Sequence, residues 1–402
     1  MNEALTDTRV VVVQGARQVG KSTLAQHVAA AQNGMTVTLD DRESLTFARS
    51  DPAGFVAQFP EGLLVIDEMQ RAPDLMLALK AAVDRDRRPG RFLVTGSANL
   101  LDLSTTHESM AGRAESIDLH SFSQSELAGK SGSFVDTAFT GELFRGYEGF
   151  TSRNDYLELA CRGGYPEAVA RLSRARRRDW YTTYLSRIVN RDAAEISGLQ
   201  RLADLPRLLR MIAARSGSTM VWTTLANEAR IPRRTLDPYI ALLKTLYLIR
   251  ELPAWSENIT SREVKQPKVM VQDTGLMASL LGYQPDALGP VGSAVGGLLE
   301  SFVVGEVDRQ NGWAENSASL FHFRDSRGLE VDLVLEAPDG RVVAVEVKAA
   351  ATVQSKDLRG LETLRNRLGE RFVAGYVLHT GDRARMVGAR MAAVPIDALW
   401  SL

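Results

Sequence analysis

The feature that most constrains this chain is the stretch GARQVGKS at positions 15–22, which joins an apolar run to a helical pattern. RVVVVQ precedes it, and a helix is predicted from about 21 to 31. Gly-x4-Gly-Lys-Ser between a strand and a helix is the pattern of a phosphate-binding loop. Gly15 and Gly20 allow backbone conformations in which N–H groups turn inward around phosphate oxygens. The sequence therefore predicts a nucleotide site at this turn.

The chemistry expected at this turn involves a lysine, a hydroxyl group and two carboxylates. Lys21 is expected to reach the β and γ phosphates, and Ser22 to ligate magnesium. The strand-like stretch LLVIDE at 63–68 would place Asp67 in the magnesium shell, because open α/β sheets bind ligands at the carboxyl ends of their strands. Glu68 is the candidate for polarising the attacking water, and the alternative is a solvated loop residue. We therefore predict ATP with Mg²⁺ as the cofactors.

The predicted contacts of the nucleotide span the whole loop and the ends of two further strands. They are Gly15, Ala16, Arg17, Gln18, Val19, Gly20, Lys21, Ser22, Thr23, Asp67 and Ser97. Thr95 and Ser97 lie at the end of the strand-like stretch RFLVTGS, and Asn99 comes two residues after it. Thr95 and Asn99 are alternative sensors of the γ-phosphate.

Arg113, in the stretch SMAGR just before AESIDLH, has two interpretations. Most arginines are surface residues. Its position also matches an arginine finger, which would stabilise the transition state of phosphoryl transfer in a neighbouring subunit. That role requires a homo-oligomer, and we keep it as a hypothesis.

Composition limits the remaining classes. A net charge of -1 gives no overall basic field, so any contact with nucleic acid must come from local patches. The one cysteine, Cys161, excludes an internal disulfide framework and fits a reducing compartment. The longest apolar runs are too short to span a bilayer, and the first residues, MNEALTDTRV, lack the pattern of a signal peptide. We expect a cytoplasmic protein without membrane contact.

Several stretches together resemble a widespread prokaryotic family of AAA-type P-loop ATPases with a C-terminal domain of unknown function, related to the archaeal ATPases. They are GARQVGKST, LLVIDEMQ, LVTGSANLL, the AGR before HSFSQSEL, GGYPEAV at 163–169 and VMVQDTGLMASLLG at 269–282. The resemblance covers nearly the whole chain. It implies ATP binding and hydrolysis but no particular substrate.

The middle of the chain is predicted to be helical, with a winged helix-turn-helix over about 221–253. Two short helical segments are broken at Ile231 and Pro232 and are followed by LIRELPAW. Arg233 and Arg234 would begin the second helix, where such motifs approach the major groove of DNA. The alternative is a winged-helix fold used only for packing.

Near the C-terminus, PDG at 338–340 predicts a hairpin turn with Ala337 opposite Arg341. The register then places Leu335 opposite Val343, Leu333 opposite Val345 and Val331 opposite Val347 on one apolar face. The other face would carry Asp332 opposite Glu346 and Glu330 opposite Lys348. Like charges directly opposite each other are destabilising, so something must compensate the two acids. Mg²⁺ or Mn²⁺ would do so, and Lys348 alone is the alternative.

The spacing of Asp332, Glu346 and Lys348 resembles the PD-(D/E)xK nuclease superfamily, although no proline precedes Asp332. The resemblance implies that the two acids hold the metal and that the lysine helps to position the attacking water. Glu300, in GGLLESFVVGEV, matches the additional acidic residue on a preceding helix. The alternative is a nuclease-like fold that only binds or scaffolds.

These patterns predict an α/β protein in three parts: a P-loop domain with a parallel sheet at 1–150, a helical and winged-helix region at 151–290, and a restriction-endonuclease-like α/β domain at 291–402. One functional hypothesis is an ATPase that couples turnover to DNA binding or processing. The other is a nucleotide-controlled switch with a catalytically silent C-terminal docking domain.

Overall fold

The computed structural model describes residues 1–97, 110–193, 202–289 and 293–402. Contacts between residues divide the chain into two units. The first unit is Met1–Ser121 with Thr245–Tyr247, and the second is Phe122–Lys244 with Leu248–Leu402. Residues 122–150, which we grouped with the nucleotide-binding part on sequence, therefore lie in the second unit.

The first unit contains a five-stranded parallel sheet in the order β2-β3-β4-β1-β5. Its strands are β1 (Val10–Gln14), β2 (Met35–Thr38), β3 (Leu64–Asp67), β4 (Phe92–Gly96) and β5 (Ala114–Asp118). β1, β3 and β4 lie in the apolar or strand-like runs identified from the sequence, and the predicted parallel sheet is confirmed. All residues of β1, β3 and β4 are buried, as expected for strands with both faces covered.

Alternate residues of the central strands pack into two hydrophobic layers. Val10 and Val12 belong to one cluster, and Val11 and Val13 belong to the other. The helices of this unit are α1 (Ala4–Asp7), α2 (Lys21–Ala31), α3 (Arg42–Ser50), α4 (Pro52–Ala57) and α5 (Leu75–Arg85), with a 3-10 turn at Met69–Arg71. The helix predicted at about 21–31 is α2, and the sheet holds its first turn at the carboxyl end of β1.

The second unit begins with a helical region. Its helices are α6 (Gln124–Leu127), α7 (Phe134–Phe139), α8 (Arg153–Arg162), α9 (Pro166–Val169), α10 (Arg174–Arg187), α11 (Leu205–Ala213), α12 (Trp222–Ala229), α13 (Arg233–Thr245), α14 (Ile259–Val264) and α15 (Thr274–Leu281). Two antiparallel strands, β6 (Ile249–Leu252) and β7 (Lys268–Val271), form a separate small sheet.

The order of elements from α12 to β7 is a helix, a short turn, a longer helix and a two-stranded sheet. Arg230 ends α12 in the left-handed conformation, with φ at 54°, and Pro232 directly precedes α13. Leu236, Tyr239, Ile240 and Leu243 give α13 one buried face. The two helical segments and the break between them agree with the sequence pattern.

The rest of the second unit is built on a six-stranded mixed sheet in the order β12-β13-β11-β10-β9-β8. The strands are β8 (Ser319–Arg324), β9 (Glu330–Glu336), β10 (Val342–Lys348), β11 (Phe372–His379), β12 (Arg385–Gly388) and β13 (Met391–Pro395). Helices α16 (Ser293–Asn311) and α17 (Arg359–Leu368) contact β10. This region is therefore α/β, as predicted.

The turn between β9 and β10 has the predicted register. Ala337 N–H donates to Arg341 O at 2.9 Å, and Gly340 takes the left-handed conformation with φ at 83°. Leu335 lies opposite Val343, and Leu333 opposite Val345.

The predicted alternation of side chains between the two faces of the hairpin does not extend to Val331 of β9. The register between β8 and β9 shifts between Phe321 and Phe323, and Val331 packs in the same hydrophobic cluster as Val334. Residues three apart cannot share a face in a regular strand, so the strand carries an irregularity next to Asp332. The prediction of one apolar face extending through Val331 is therefore wrong.

Among the helices of the described residues, none combines the length and the apolar character that a membrane crossing requires.

Candidate functional site

The loop between β1 and α2 has the backbone that its glycines predict. Gly15 has φ at 148° and Gly20 has φ at 105°. A Cβ atom at Gly15 would lie 2.1 Å from Leu119 O, so a side chain at this position would collide with the backbone. Gln18, between the two glycines, is also left-handed, with φ at 63°. This curved loop leads directly into the N-terminus of α2, whose dipole favours anions.

Lys21 is buried at the first position of α2. Its Nζ donates to Gly15 O at 3.0 Å and to Ala16 O at 2.8 Å. The ammonium group is therefore held against the loop that would surround the phosphates. Arg17, Val19 and Thr23 lie in the same segment, where they were predicted.

Asp67 is the last residue of β3, and its carboxylate accepts hydrogen bonds from hydroxyl groups on three elements. Ser22 Oγ donates to Asp67 Oδ1 at 2.9 Å, Thr95 Oγ1 donates to the same oxygen at 2.5 Å, and Thr38 Oγ1 donates to Oδ2 at 3.4 Å. Parallel strands β2, β3 and β4 end at one edge of the sheet, which brings these groups together. Thr38 was not predicted, although its position at a strand end was a usable signal.

The arrangement of Ser22 and Asp67 fits Mg²⁺. A hydroxyl and a carboxylate oxygen lie 2.9 Å apart beside the phosphate loop, and magnesium prefers such oxygen ligands with substrate phosphates. Among the described residues, the structure contains no group of three or more His, Cys, Asp or Glu side chains suited to a metal ion. The candidate magnesium site therefore depends on a hydroxyl and one carboxylate together with the nucleotide.

Glu68 lies immediately after Asp67 and is held by a side chain that the sequence did not reveal. Its backbone is left-handed, with φ at 61°. The amide group of Gln70 donates to the Glu68 carboxylate and to Ser97 Oγ, the latter at 3.0 Å. Ser97 N–H in turn donates to Gln70 Oε1 at 3.3 Å. Gln70 thus connects the candidate base with the end of β4.

Arg113 pairs within its own unit. Its guanidinium donates to both carboxylate oxygens of Asp84 on α5, at 2.6 and 3.1 Å. The hydrogen bond to Asp84 raises the pKa of Arg113, and the pKa of Asp84 is correspondingly lowered. The other predicted sensor, Asn99, lies outside the described residues.

The predicted C-terminal residues come together around a lysine that the sequence did not indicate. Lys268, the first residue of β7, places Nζ 2.6 Å from Glu300 Oε1 and 3.0 Å from Asp332 Oδ1. Lys348 Nζ donates to Glu346 Oε1 at 2.6 Å. These five side chains are called the acid–lysine cluster below.

The charges in the acid–lysine cluster influence one another. Burial acts to lower the pKa of Lys268, but the charges of Asp332 and Glu300 outweigh it and raise that pKa above its ordinary value. Burial and the charge of Asp332 raise the pKa of Glu300, and the same two causes raise the pKa of Glu346 to about 8. At neutral pH the lysine is therefore charged, and Glu346 retains a proton.

The pairing of Glu330 also differs from the prediction. Glu330 lies opposite Arg324 on β8 and forms an ion pair with it at 2.9 Å. Lys348 lies beside His379 on β11 and contacts Glu346 rather than Glu330. The predicted pair of Glu330 and Lys348 is therefore wrong, because the irregularity of β9 changes the positions around Asp332.

Arg233 and Arg234 occupy the first turn of α13 and are both exposed. Arg233 forms an ion pair with Asp237 one turn further along the helix.

Comparison with known proteins divides the chain into three matched segments. Residues 7–128 match the family described as AAA domain. Residues 153–287 match the domain of unknown function DUF8612, and residues 295–399 match the domain of unknown function DUF4143. Similar proteins of Mycobacterium tuberculosis and Mycobacterium bovis, both described as uncharacterized, are 27% identical over 99% of this chain and 82% of their own length.

Two solved structures are also similar in part. The RuvB Holliday junction branch migration motor of Thermotoga maritima is 19% identical, with a TM-score of 0.31 over 63% of this chain and 87% of that one. A STAND protein with a tetratricopeptide repeat sensor from Pyrococcus horikoshii is 10% identical, with a TM-score of 0.20 over 76% of this chain and 44% of that one. These scores are too low to carry an argument.

The match over residues 7–128, the parallel sheet and the geometry of the phosphate loop define the class. The first unit matches the AAA domain family and has the parallel sheet and phosphate loop of a P-loop ATPase, which supports ATP binding and hydrolysis. The C-terminal segment carries the DUF4143 domain.

Proposed function

We propose that ATP hydrolysis takes place at the edge of the first unit's sheet, with Glu68 positioning the attacking water. The observation that carries this proposal is the convergence of Ser22 and Thr95 on Asp67, at 2.9 and 2.5 Å, immediately before a glutamate held by Gln70.

The loop from Gly15 to Gly20 would bind the phosphates through its N–H groups, and Lys21 would place its charge beside the β and γ phosphates. Ser22 and Asp67 would hold Mg²⁺, which neutralises charge on the phosphates when it is bound. Glu68 would accept a hydrogen bond from the attacking water and orient it. Ser97, joined to Glu68 through Gln70, is suited to report whether the γ-phosphate is present.

Two variants of the full chain test this assignment. Lys21→Ala should lose both ATP binding and turnover. Glu68→Gln should retain ATP binding while turnover falls about 10²–10⁴-fold, as is typical of a lost general base. Lys130→Ala and Glu61→Gln change exposed residues of the same types and should behave like wild type. Wild-type turnover in the Glu68 variant would refute the role of that residue.

A second proposal is that ATP turnover is coupled to DNA. It is supported by the exposed Arg233 and Arg234 at the start of α13, the second helix of the proposed winged-helix motif. Helix N-termini and arginines both favour phosphate contacts. In this proposal DNA increases ATP turnover, and a double Arg233→Glu, Arg234→Glu variant loses the increase. Arg359→Glu, at the exposed start of α17, is the matched control.

If single- and double-stranded DNA leave turnover and electrophoretic mobility unchanged, the alternative is favoured. That alternative is a nucleotide-controlled switch whose C-terminal region is a docking surface. The ion pairs of Lys268 with Glu300 and Asp332 support it, because an ammonium group already lies between these two acids. Cleavage of DNA with Mg²⁺ or Mn²⁺ that disappears in Glu346→Ala would instead establish a restriction-endonuclease-like domain. We also propose a cytoplasmic location, consistent with the single cysteine.

A further inference from the structure

Lys268 is unusual among the lysines of this chain because it is almost completely buried, with 1% of its surface exposed. It begins β7 in the small two-stranded sheet, whereas its partners Glu300 and Asp332 belong to α16 and β9. The two carboxylate oxygens lie 2.6 and 3.0 Å from its Nζ. One ammonium group therefore joins three separate elements of the second unit.

The surroundings leave little freedom to the acids. The second oxygen of Asp332 accepts the Val347 N–H at 2.9 Å. A Cβ atom at Gly217 would lie 2.7 Å from Glu300 Oε2, so the chain passes directly over that carboxylate. Asp332 is thus held by the backbone as well as by Lys268, and the backbone at Gly217 lies close to the Glu300 carboxylate.

Glu346 has a buried carboxylate oxygen that is not satisfied by the described residues. Its residue surface is only 8% exposed, and its Oε2 is buried without a hydrogen-bond partner among the described residues. The charge of Glu346 acts on Glu300, and that of Asp332 acts on Glu346. The cluster therefore contains a third carboxylate with one oxygen still able to bind a cation.

The charges do not balance fully. Glu300, Asp332 and Glu346 face the ammonium groups of Lys268 and Lys348, and Asp357 Oδ1 lies 3.8 Å from Lys348 Nζ. If every group were ionised, four carboxylates would face two ammonium groups, and two negative charges would remain in a largely buried site, where an uncompensated charge is costly. Removing Lys268 would leave two further charges without their partner.

We propose that Lys268 is a built-in cation that occupies the position between Glu300 and Asp332 where a divalent metal ion would bind, and so closes the acid–lysine cluster to metal ions. Carboxylate oxygens bind Mg²⁺ at about 2.0–2.1 Å and require the space that the ammonium now fills. Lysine and metal ion therefore exclude each other. It follows that removal of the Lys268 charge opens the position between Glu300 and Asp332 to a hard divalent cation.

The experiment compares the full-length wild type with Lys268→Met, without nucleotide, in chelator and in Mn²⁺. Hydrogen exchange of peptides from β9, β10 and α16 reports this cluster separately from the ATP site. In wild type we expect Mn²⁺ to leave these peptides unchanged. In Lys268→Met they should exchange faster in chelator, and Mn²⁺ should restore protection at least tenfold, with bound Mn²⁺ visible by electron paramagnetic resonance. Lys265→Met, an exposed lysine of the same segment, should behave like wild type.

A second variant keeps the proposal testable if Lys268→Met does not fold. Lys268→Met combined with Glu300→Gln and Asp332→Asn removes the acids together with the ammonium. It should fold and show no response to Mn²⁺. Failure of this triple variant to fold would mean that Lys268 acts through packing, which contradicts the proposal. Two other results would overturn it: a folded Lys268→Met variant that ignores Mn²⁺, or protection of wild type by Mn²⁺ that Asp332→Asn removes. ATP turnover enters none of these readouts, so the ATPase assignment is tested separately.

Discussion

Gln70 is the residue that most clearly adds to what the sequence motifs predict at the ATP site. It donates to Glu68 and to Ser97 Oγ and does not itself reach the phosphate loop through any contact described above. Its predicted role is to position the carboxylate that orients water. A side chain of this kind affects the rate of the chemical step more than the binding of ATP.

We therefore expect Gln70→Ala to lower kcat about 10–100-fold, because a misplaced base loses part of its contribution. The dissociation constant for ATP should stay close to that of wild type. Steady-state turnover together with equilibrium binding of a nucleotide checks both statements. Gln58→Ala is the control, since Gln58 is also half-buried and, within the described part of the chain, donates to Phe55 O at 2.8 Å. Equal losses of binding and turnover would show that Gln70 supports the fold of the site instead.

Glu346 gives a prediction about pH. Burial and the charge of Asp332 raise its pKa from the ordinary value of 4.5 to about 8. Between these values the folded protein binds a proton that the unfolded chain does not, so stability falls as the pH rises through this range. Glu346→Gln should remove this dependence and make the second unit more stable than wild type above pH 8, while its amide oxygen can still accept from Lys348.

Hydrogen exchange of β10 over a series of pH values, corrected for the intrinsic rates, measures this local stability. Glu370→Gln changes an exposed glutamate and should leave the pH dependence of β10 as it is in wild type. The same pH dependence in Glu346→Gln and wild type would show that another group takes up the proton.

At the scale of secondary structure, Asp273 illustrates how one buried carboxylate fixes several elements. It caps α15 by accepting from Gly275 N–H and Leu276 N–H at 3.0 and 3.1 Å. It also accepts from Gly164 N–H and from Tyr181 OH, both at 2.9 Å. One side chain therefore connects α15 with α10 and with the turn after α8.

Asp273→Ala should destabilise the second unit by about 2–4 kcal/mol, because it removes a helix cap and leaves buried donors without their acceptor. Ser152→Ala removes the exposed cap of α8, in which the Ser152 side chain accepts from Asp155 N–H, and should cost only about 0.5–1 kcal/mol. Denaturant unfolding followed by tryptophan fluorescence compares the two variants. Equal effects would mean that the contacts with Gly164 and Tyr181 contribute little.

The central strands of the first unit could be predicted because an apolar run is followed directly by a recognisable polar motif. β1 and β3 are continuous apolar runs that end at GARQVGKS and at Asp67. The hairpin register of β9 and β10 followed from PDG in the same way, since turn chemistry is local. The interruption of β9 beside Asp332 was not predictable, because the pattern of side chains does not show where a strand is irregular.

Lys268 was missed for a related reason. It is separated from Glu300 by 32 residues and from Asp332 by 64, and nothing in KQPKVMV distinguishes it from an exposed lysine. The sequence indicated that the negative charges of Asp332 and Glu346 need a compensating cation. It could not show which cation does so, because that depends on how β7 packs on α16 and β9.

At the scale of the whole molecule, the remaining question is whether one ATP site needs two chains. Arg113 is held by Asp84 through two hydrogen bonds within its own unit, so it would have to exchange this partner to act on a nucleotide in a neighbouring subunit. A guanidinium can make this exchange because the pair is partly exposed to solvent, where ion pairs are weak.

If Arg113 acts in trans, Arg113→Ala should reduce turnover by about 10³-fold or more while ATP still binds, since arginine fingers contribute that much to phosphoryl transfer. Asp84→Asn should release the arginine and leave turnover equal to or above that of wild type. The decisive measurement mixes Lys21→Ala with Arg113→Ala. Each variant alone is inactive, but a mixed assembly joins an intact phosphate loop in one chain to an intact Arg113 in the next and should recover turnover that increases with protein concentration. A mixture that stays inactive while the wild type assembles would show that Arg113 does not act on the nucleotide of a neighbouring subunit. Hydrolysis would then depend on the residues of a single chain.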